Sequence, residues 1–148
     1  MGIEYTAPPT CAKFMKSNAF GRLIGGPVGS GKTTACVMEI ARRAMVQAPA
    51  KDGYRYTRWA IVRQTLQQLK STVLKDAIAW LGPLGEWRVS ESTFYLKFGD
   101  VRSELLFLPM ETAEDQARVL SMQLTGAFLS EAIEMNFDVI APLSGRLG

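Results

Sequence analysis

The sequence predicts an α/β fold with a mainly parallel sheet flanked by helices on both faces, and two observations carry that prediction. Short runs of apolar and β-branched residues alternate along the chain with longer stretches of helical periodicity, the order that builds parallel strands joined by crossover helices. The run Gly26-Pro27-Val28-Gly29-Ser30-Gly31-Lys32-Thr33 stands between a short apolar stretch and an amphipathic one. Strand, glycine-rich loop and helix follow one another there.

Each element has its own warrant. Pro8-Pro9 and the residues after them read as an extended arm leading into a short helix, and Arg22–Gly25 reads as the first buried strand. From Thr34 to Met45, Val37, Met38, Ile40, Ala41, Ala44 and Met45 recur at helical spacing and stop before Pro49. Lys51–Tyr54 is a polar turn, and Tyr56–Val62, rich in aromatic and β-branched residues, is a second strand. Leu66, Leu69, Val73, Leu74, Ala77, Ile78 and Leu81 predict one amphipathic helix over Leu66–Leu81, closed by Gly82-Pro83. Phe94–Phe98 and Ser103–Leu108 flank Gly99-Asp100 as a hairpin-like pair. Glu111–Leu120 reads as a short helix, and Gly126–Ser130 as a small apolar strand with Glu131 at its end. No internal repeat or low-complexity segment interrupts this order.

Composition narrows the classes. The chain has 148 residues, 47% hydrophobic and 21% charged, enough for one domain with a core and too short for two ordinary ones. A net charge of +3 permits a polyanionic partner without requiring one. Two distant cysteines, Cys11 and Cys36, with no CxxC and no histidine argue against a zinc site or a disulfide framework and fit a reducing compartment. No stretch approaches the roughly 20 apolar residues of a membrane span. Glu4 stands where a signal peptide would be basic.

The chemistry is concentrated in the glycine-rich run. Two glycines four residues apart, followed by Lys and then Ser or Thr, form the P-loop pattern, and the fold expectation sharpens to a P-loop NTPase. Gly26, Gly29 and Gly31 let the backbone N–H groups of Gly26, Pro27, Val28, Gly29, Ser30 and Gly31, proline excepted, close around a β-phosphate where a Cβ would block the approach. Lys32 is a point charge able to reach the β- and γ-phosphates, the Thr33 hydroxyl is suited to Mg²⁺, and Thr34 opens the helix whose N-terminal N–H groups add to the cradle. Hydrolysis also needs a carboxylate at the end of a neighbouring strand. Ala127-Phe128-Leu129-Ser130-Glu131 has that form, with Glu131 as the residue to orient and deprotonate water. A helix N-terminal Glu is the plainer reading of the same residue. Ser130 stands where an Asp is usual and would reach the metal only through a hydroxyl, without charge.

Beyond the P-loop, several segments resemble in order those of the ATPase domain of the large terminase subunit of tailed bacteriophages. Gly25-Gly26 through Thr34 is similar to its Walker A segment. Val62-Arg63-Gln64-Thr65, then Leu66 and Leu69-Lys70-Ser71, is similar to the segment after its second strand. Phe107 to Glu111 and Arg118-Val119-Leu120-Ser121 resemble the approach to Walker B, and Leu143 to Gly148 the start of the coupling-motif region.

The resemblance implies an ATPase motor that uses ATP and Mg²⁺ to drive double-stranded DNA into a procapsid. Lys32, Arg118 and Glu131 would be catalytic, with Arg118 an arginine finger offered to a neighbouring subunit. Thr33 and Ser130 would hold the metal. It implies as partners the portal protein, the small terminase subunit and further copies in a homo-oligomeric ring, in the host cytoplasm and without a membrane. It further implies that residues 1–148 are an incomplete ATPase domain without the nuclease domain. Arg63 could sense nucleotide, touch DNA phosphate or end a strand; Arg55, Arg58, Lys70 and Lys75 could grip DNA or be solvated charges. A small-molecule P-loop kinase and a nucleotide-binding module with little turnover share the same loop.

Overall fold

The computed structural model describes residues 32–63 and 65–129. The arm, the expected strand Arg22–Gly25, the glycine-rich loop through Gly31, the pair Ser130 and Glu131, and the segment to Gly148 lie outside the described residues. The first described element is helix α1 (Lys32–Val46), followed by strand β1 (Arg55–Arg63). Helices α2 (Leu66–Ser71) and α3 (Val73–Leu81) come next, then a 3₁₀ turn at Gly82–Leu84 and strand β2 (Gly85–Arg88). Strands β3 (Thr93–Phe98) and β4 (Val101–Pro109), helix α4 (Ala113–Leu120) and strand β5 (Gly126–Leu129) complete the series.

The five strands form one mixed sheet in the order β2-β3-β4-β1-β5. β4, β1 and β5 are mutually parallel, with Arg63 opposite Pro109 and Val62 opposite Leu129. β2 and β3 are added antiparallel at one edge. The hairpin between β3 and β4 turns at Gly99-Asp100, where Gly99 takes φ +53°, a left-handed conformation that a side chain would strain.

Alternation along the parallel strands divides the core into two layers. Trp59 and Ile61 of β1 and Leu105 and Phe107 of β4 face α1, α2 and α3, whose Val37, Ile40, Leu69, Val73 and Ala77 complete that layer. Ala60, Val62 and Leu108 face the other way, toward Val119 of α4 and Leu124. A strand apolar on both faces must be covered on both, so helices lie on each side as the sequence predicts. The Trp87 ring meets Phe107 edge-on at 5.5 Å, bringing β2 onto the first layer.

Four details depart from the sequence expectation. β2 was not predicted: its four residues are too few to express a period, and its pairing with β3 defines it. The helix expected over Leu66–Leu81 is two helices broken at Thr72, whose φ −121° and ψ −80° are not helical. The Thr72 hydroxyl donates to the Gln68 carbonyl at 2.7 Å, and the β-branched pair Thr72-Val73 is a poor helix interior. Ile78 and Met45, both counted on apolar faces, are 44% and 48% exposed. Each lies at the margin of an apolar stripe wider than the surface its helix covers.

Candidate functional site

The parallel strands β4, β1 and β5 all run toward one edge of the sheet, ending there at Pro109, Arg63 and Leu129. In open α/β sheets this carboxyl edge is where ligands bind. The N–H of Met110 donates to the carbonyl of Arg63 at 3.1 Å, extending the β4–β1 pairing to that edge.

Lys32 is the first residue of α1, two positions earlier than the periodicity suggested. The first turn of α1 contains no acidic residue, so the positive end of the helix is not neutralised within the helix. Thr33 and Thr34, both half-buried, stand in that turn. The Thr34 hydroxyl donates to Asp76 Oδ2 on α3 at 3.4 Å. A hydroxyl oxygen at Thr33 and the backbone N–H groups of a helix start suit a hard cation and a phosphate respectively. Among the described residues no group of three or more Asp, Glu, Cys or His side chains is placed to hold a metal ion.

Arg63, half-buried at the end of β1, donates from Nη1 to the Thr72 hydroxyl at 3.3 Å. Its neighbour in the sequence motif, Thr65, caps α2: its side chain accepts from the Gln68 N–H, and the Gln68 side chain accepts from the Thr65 N–H. This capping box explains why the Arg63-to-Ser71 segment leaves the strand and starts a helix at once.

Arg118 lies on α4, across the sheet from α1, with its side chain 52% exposed. It meets Asp115 Oδ1 at 3.4 Å within its own helix. Asp115 is drawn two ways. Burial works to raise its carboxyl pKa, and the N–H groups of Thr112 and Glu111 and the Thr112 hydroxyl outweigh it, leaving the group below the ordinary carboxylate range. The Thr112 N–H bond to Asp115 Oδ2, paired with the Asp115 N–H donating to the Thr112 hydroxyl, makes the α4 capping box.

The four further basic candidates divide in two. Arg55 is engaged with Asp100 at 2.9 Å and Arg58 with Glu104 at 2.7 Å, whereas Lys70 and Lys75 stand exposed on α2 and α3. A solvent-open groove of about 940 Å³ crosses the sheet at the other end of the parallel strands, between Arg58, Tyr95, Lys97, Arg102 and Thr125. Its charges are largely internally matched: Arg88 lies over the Tyr95 ring at 4.5 Å and near Glu91 at 3.5 Å.

The structure therefore brings Thr34 to Asp76 and Arg63 to Thr72, and holds Arg118 apart from both. Gly26, Pro27, Val28, Gly29, Ser30, Gly31, Ser130 and Glu131 lie outside the described residues. Sequence reasoning missed Asp76 and Thr72. The only local hint was the β-branched pair Thr72-Val73, a poor helix interior, and nothing in the spacing joined Asp76 to Thr34.

The architecture is shared with solved viral proteins. The large terminase of a thermophilic bacteriophage superposes with a TM-score of 0.79 at 14% identity, over 96% of this chain and 36% of that one. The same protein in complex with ADP gives a TM-score of 0.66 at 14% identity, over 82% and 29%. Its complex with ATP-γ-S gives 0.65 at 14% identity, over 82% and 28%. The fold is thus the α/β fold of large terminases, and the chain spans about a third of the length of these relatives. Residues 23–141 match the family model of the terminase large subunit, T4-like-virus type, N-terminal part, and the chain belongs to that family. No curated protein sequence matches it.

Proposed function

We propose that this chain is the ATPase part of a viral DNA-packaging motor, hydrolysing ATP with Mg²⁺ to move double-stranded DNA into a procapsid. The observation that carries the reading is the start of α1: a helix N-terminus with no acid in its own first turn, directly after Gly26–Gly31 in sequence, beside the carboxyl edge of three parallel strands. The ADP and ATP-γ-S complexes of the thermophilic phage terminase and the family match support a nucleotide ligand.

In this reading the N–H groups of Gly26, Val28, Gly29, Ser30 and Gly31, with Pro27 shaping the loop, and those of the first turn of α1 bind the phosphates, joined by Thr34 as the helix opens. Lys32 offsets charge on the β- and γ-phosphates, and Thr33 with Ser130 holds Mg²⁺. The metal, when bound, neutralises charge developing on the phosphoryl oxygens. Glu131 orients the attacking water and accepts its proton. Arg118, exposed and across the sheet from α1, suits a finger given to the next subunit of a ring and not one acting within its own site. Double-stranded DNA, the portal protein and the small terminase subunit would be the partners, in the host cytoplasm, and DNA would be gripped through its phosphates. Lys70 and Lys75 are better grip candidates than Arg55 and Arg58, whose charges are matched within the sheet.

ATP hydrolysis measured with and without linear double-stranded DNA tests this. We expect turnover that DNA stimulates, that Glu131→Gln abolishes, and that in Arg118→Ala no longer rises with protein concentration. Phosphate transfer to a small acceptor would make the chain a kinase; nucleotide binding without turnover would make it a binding module.

A further inference from the structure

Two hydrogen bonds at the carboxyl edge end on the same short segment, the first turn of α3. Thr34, in the first turn of α1, donates its hydroxyl to Asp76 Oδ2 at 3.4 Å. Arg63, the last residue of β1, donates to the Thr72 hydroxyl at 3.3 Å. Thr72 is in turn anchored by donating to the Gln68 carbonyl at 2.7 Å. Because the chain breaks at Thr72 and starts α3 afresh, Thr72 is the N-cap position and Asp76 falls in the first turn.

We propose that Asp76 is a positioning residue for the nucleotide site, fixing the first turn of α1 through the Thr34 hydroxyl; this rests on the nucleotide reading above. The Asp76 carboxylate is half-buried and shows its Oδ2 to Thr34. A carboxylate facing phosphate directly would repel it, whereas one that accepts from the Thr34 side chain leaves the backbone N–H groups of that turn to other acceptors. Thr34 is the residue next to the expected metal ligand Thr33, and a rotation of its turn moves both. Asp76 also sits where an acid favours the α3 dipole, a role that does not involve Thr34.

The two roles separate by variant. With the full chain, the affinity for the fluorescent analogue mant-ADP in the presence of Mg²⁺ is measured alongside the thermal midpoint, for wild type, Asp76→Ala, Asp76→Asn, Thr34→Val and the Asp76→Ala/Thr34→Val double variant. Asp76→Ala and Thr34→Val should each weaken binding about fivefold, the scale of one hydrogen bond. The double variant should be no weaker than either single one, since both remove the same contact. Asp76→Asn keeps an acceptor for Thr34 and should stay within about twofold of wild type. A lowered midpoint with unchanged affinity in Asp76→Ala, or effects that multiply in the double variant, overturns the proposal while leaving the nucleotide reading intact. If Asp76→Ala does not fold, Thr34→Val decides: wild-type affinity there overturns it. Wild-type protein that binds no mant-ADP overturns the nucleotide reading and this inference with it.

Discussion

The two halves of β1 are built on different principles. From Trp59 to Val62 four consecutive residues are buried, packed between α1 to α3 on one face and α4 on the other. From Arg55 to Arg58 only Thr57 is buried; its hydroxyl donates to Ser103 at 2.7 Å, while Arg55, Tyr56 and Arg58 meet Asp100, Asp52 and Glu104 in the open. The same strand is thus a core element at the edge where the candidate site lies and a solvated ladder of polar pairs at the other. The lesson is that apolar burial is concentrated under the candidate nucleotide edge. Apolar burial supplies that half at about 25 cal/mol per Å², whereas exposed ion pairs supply the other with about 1 kcal/mol or less each.

Three substitutions would break or sharpen that contrast. Phe107→Ala removes a fully buried ring that pairs with Ile61 and meets Trp87 edge-on, and should cost about 3–5 kcal/mol in urea unfolding. Gly126→Ala should cost less, about 1–3 kcal/mol. Its added Cβ would lie 2.2 Å from Cζ3 of Trp59, so the indole or β5 must shift. Arg58→Ala breaks the pair with Glu104, whose two side chains are 47% and 32% exposed. That change should cost under about 1 kcal/mol, a loss further reduced by salt. A loss at Arg58 equal to that at Phe107 would sink the contrast.

Much of this was legible because periodicity records burial. β1, β5 and the β3–β4 hairpin lie within two residues of their expected bounds, since Ile61, Phe107 and Phe128 sit in short runs of apolar, β-branched and aromatic residues bounded by turn signals. α4 starts at Ala113, two residues later than expected, because Thr112 is its cap. The break at Thr72 was hidden because the apolar residues on either side keep one helical phase across it; period reads spacing and not backbone angles. β2 was hidden for the opposite reason, since its burial comes from β3 and Phe107 and leaves no pattern within four residues. In the candidate site, Lys32 and Thr33 were named by spacing alone, and Thr33 stands in the first turn of α1. Asp76 could not be named that way: its partner Thr34 is 42 residues distant, joined only by the packing of α3 on α1.

The close approach of Trp59 to Gly126 gives the molecule an internal optical gauge. The indole lies over the first residue of β5, in register with it across the β1–β5 ladder, and its Nε1 is buried with no hydrogen-bond partner among the described residues. An indole so desolvated emits to the blue, and a slide of β5 along β1 by even one residue would put a side chain where the glycine now is. With Trp80 and Trp87 replaced by Phe, Trp59 would be the sole emitter of the chain's three tryptophans. It would report movement of the strand that leads to Glu131 without any label attached.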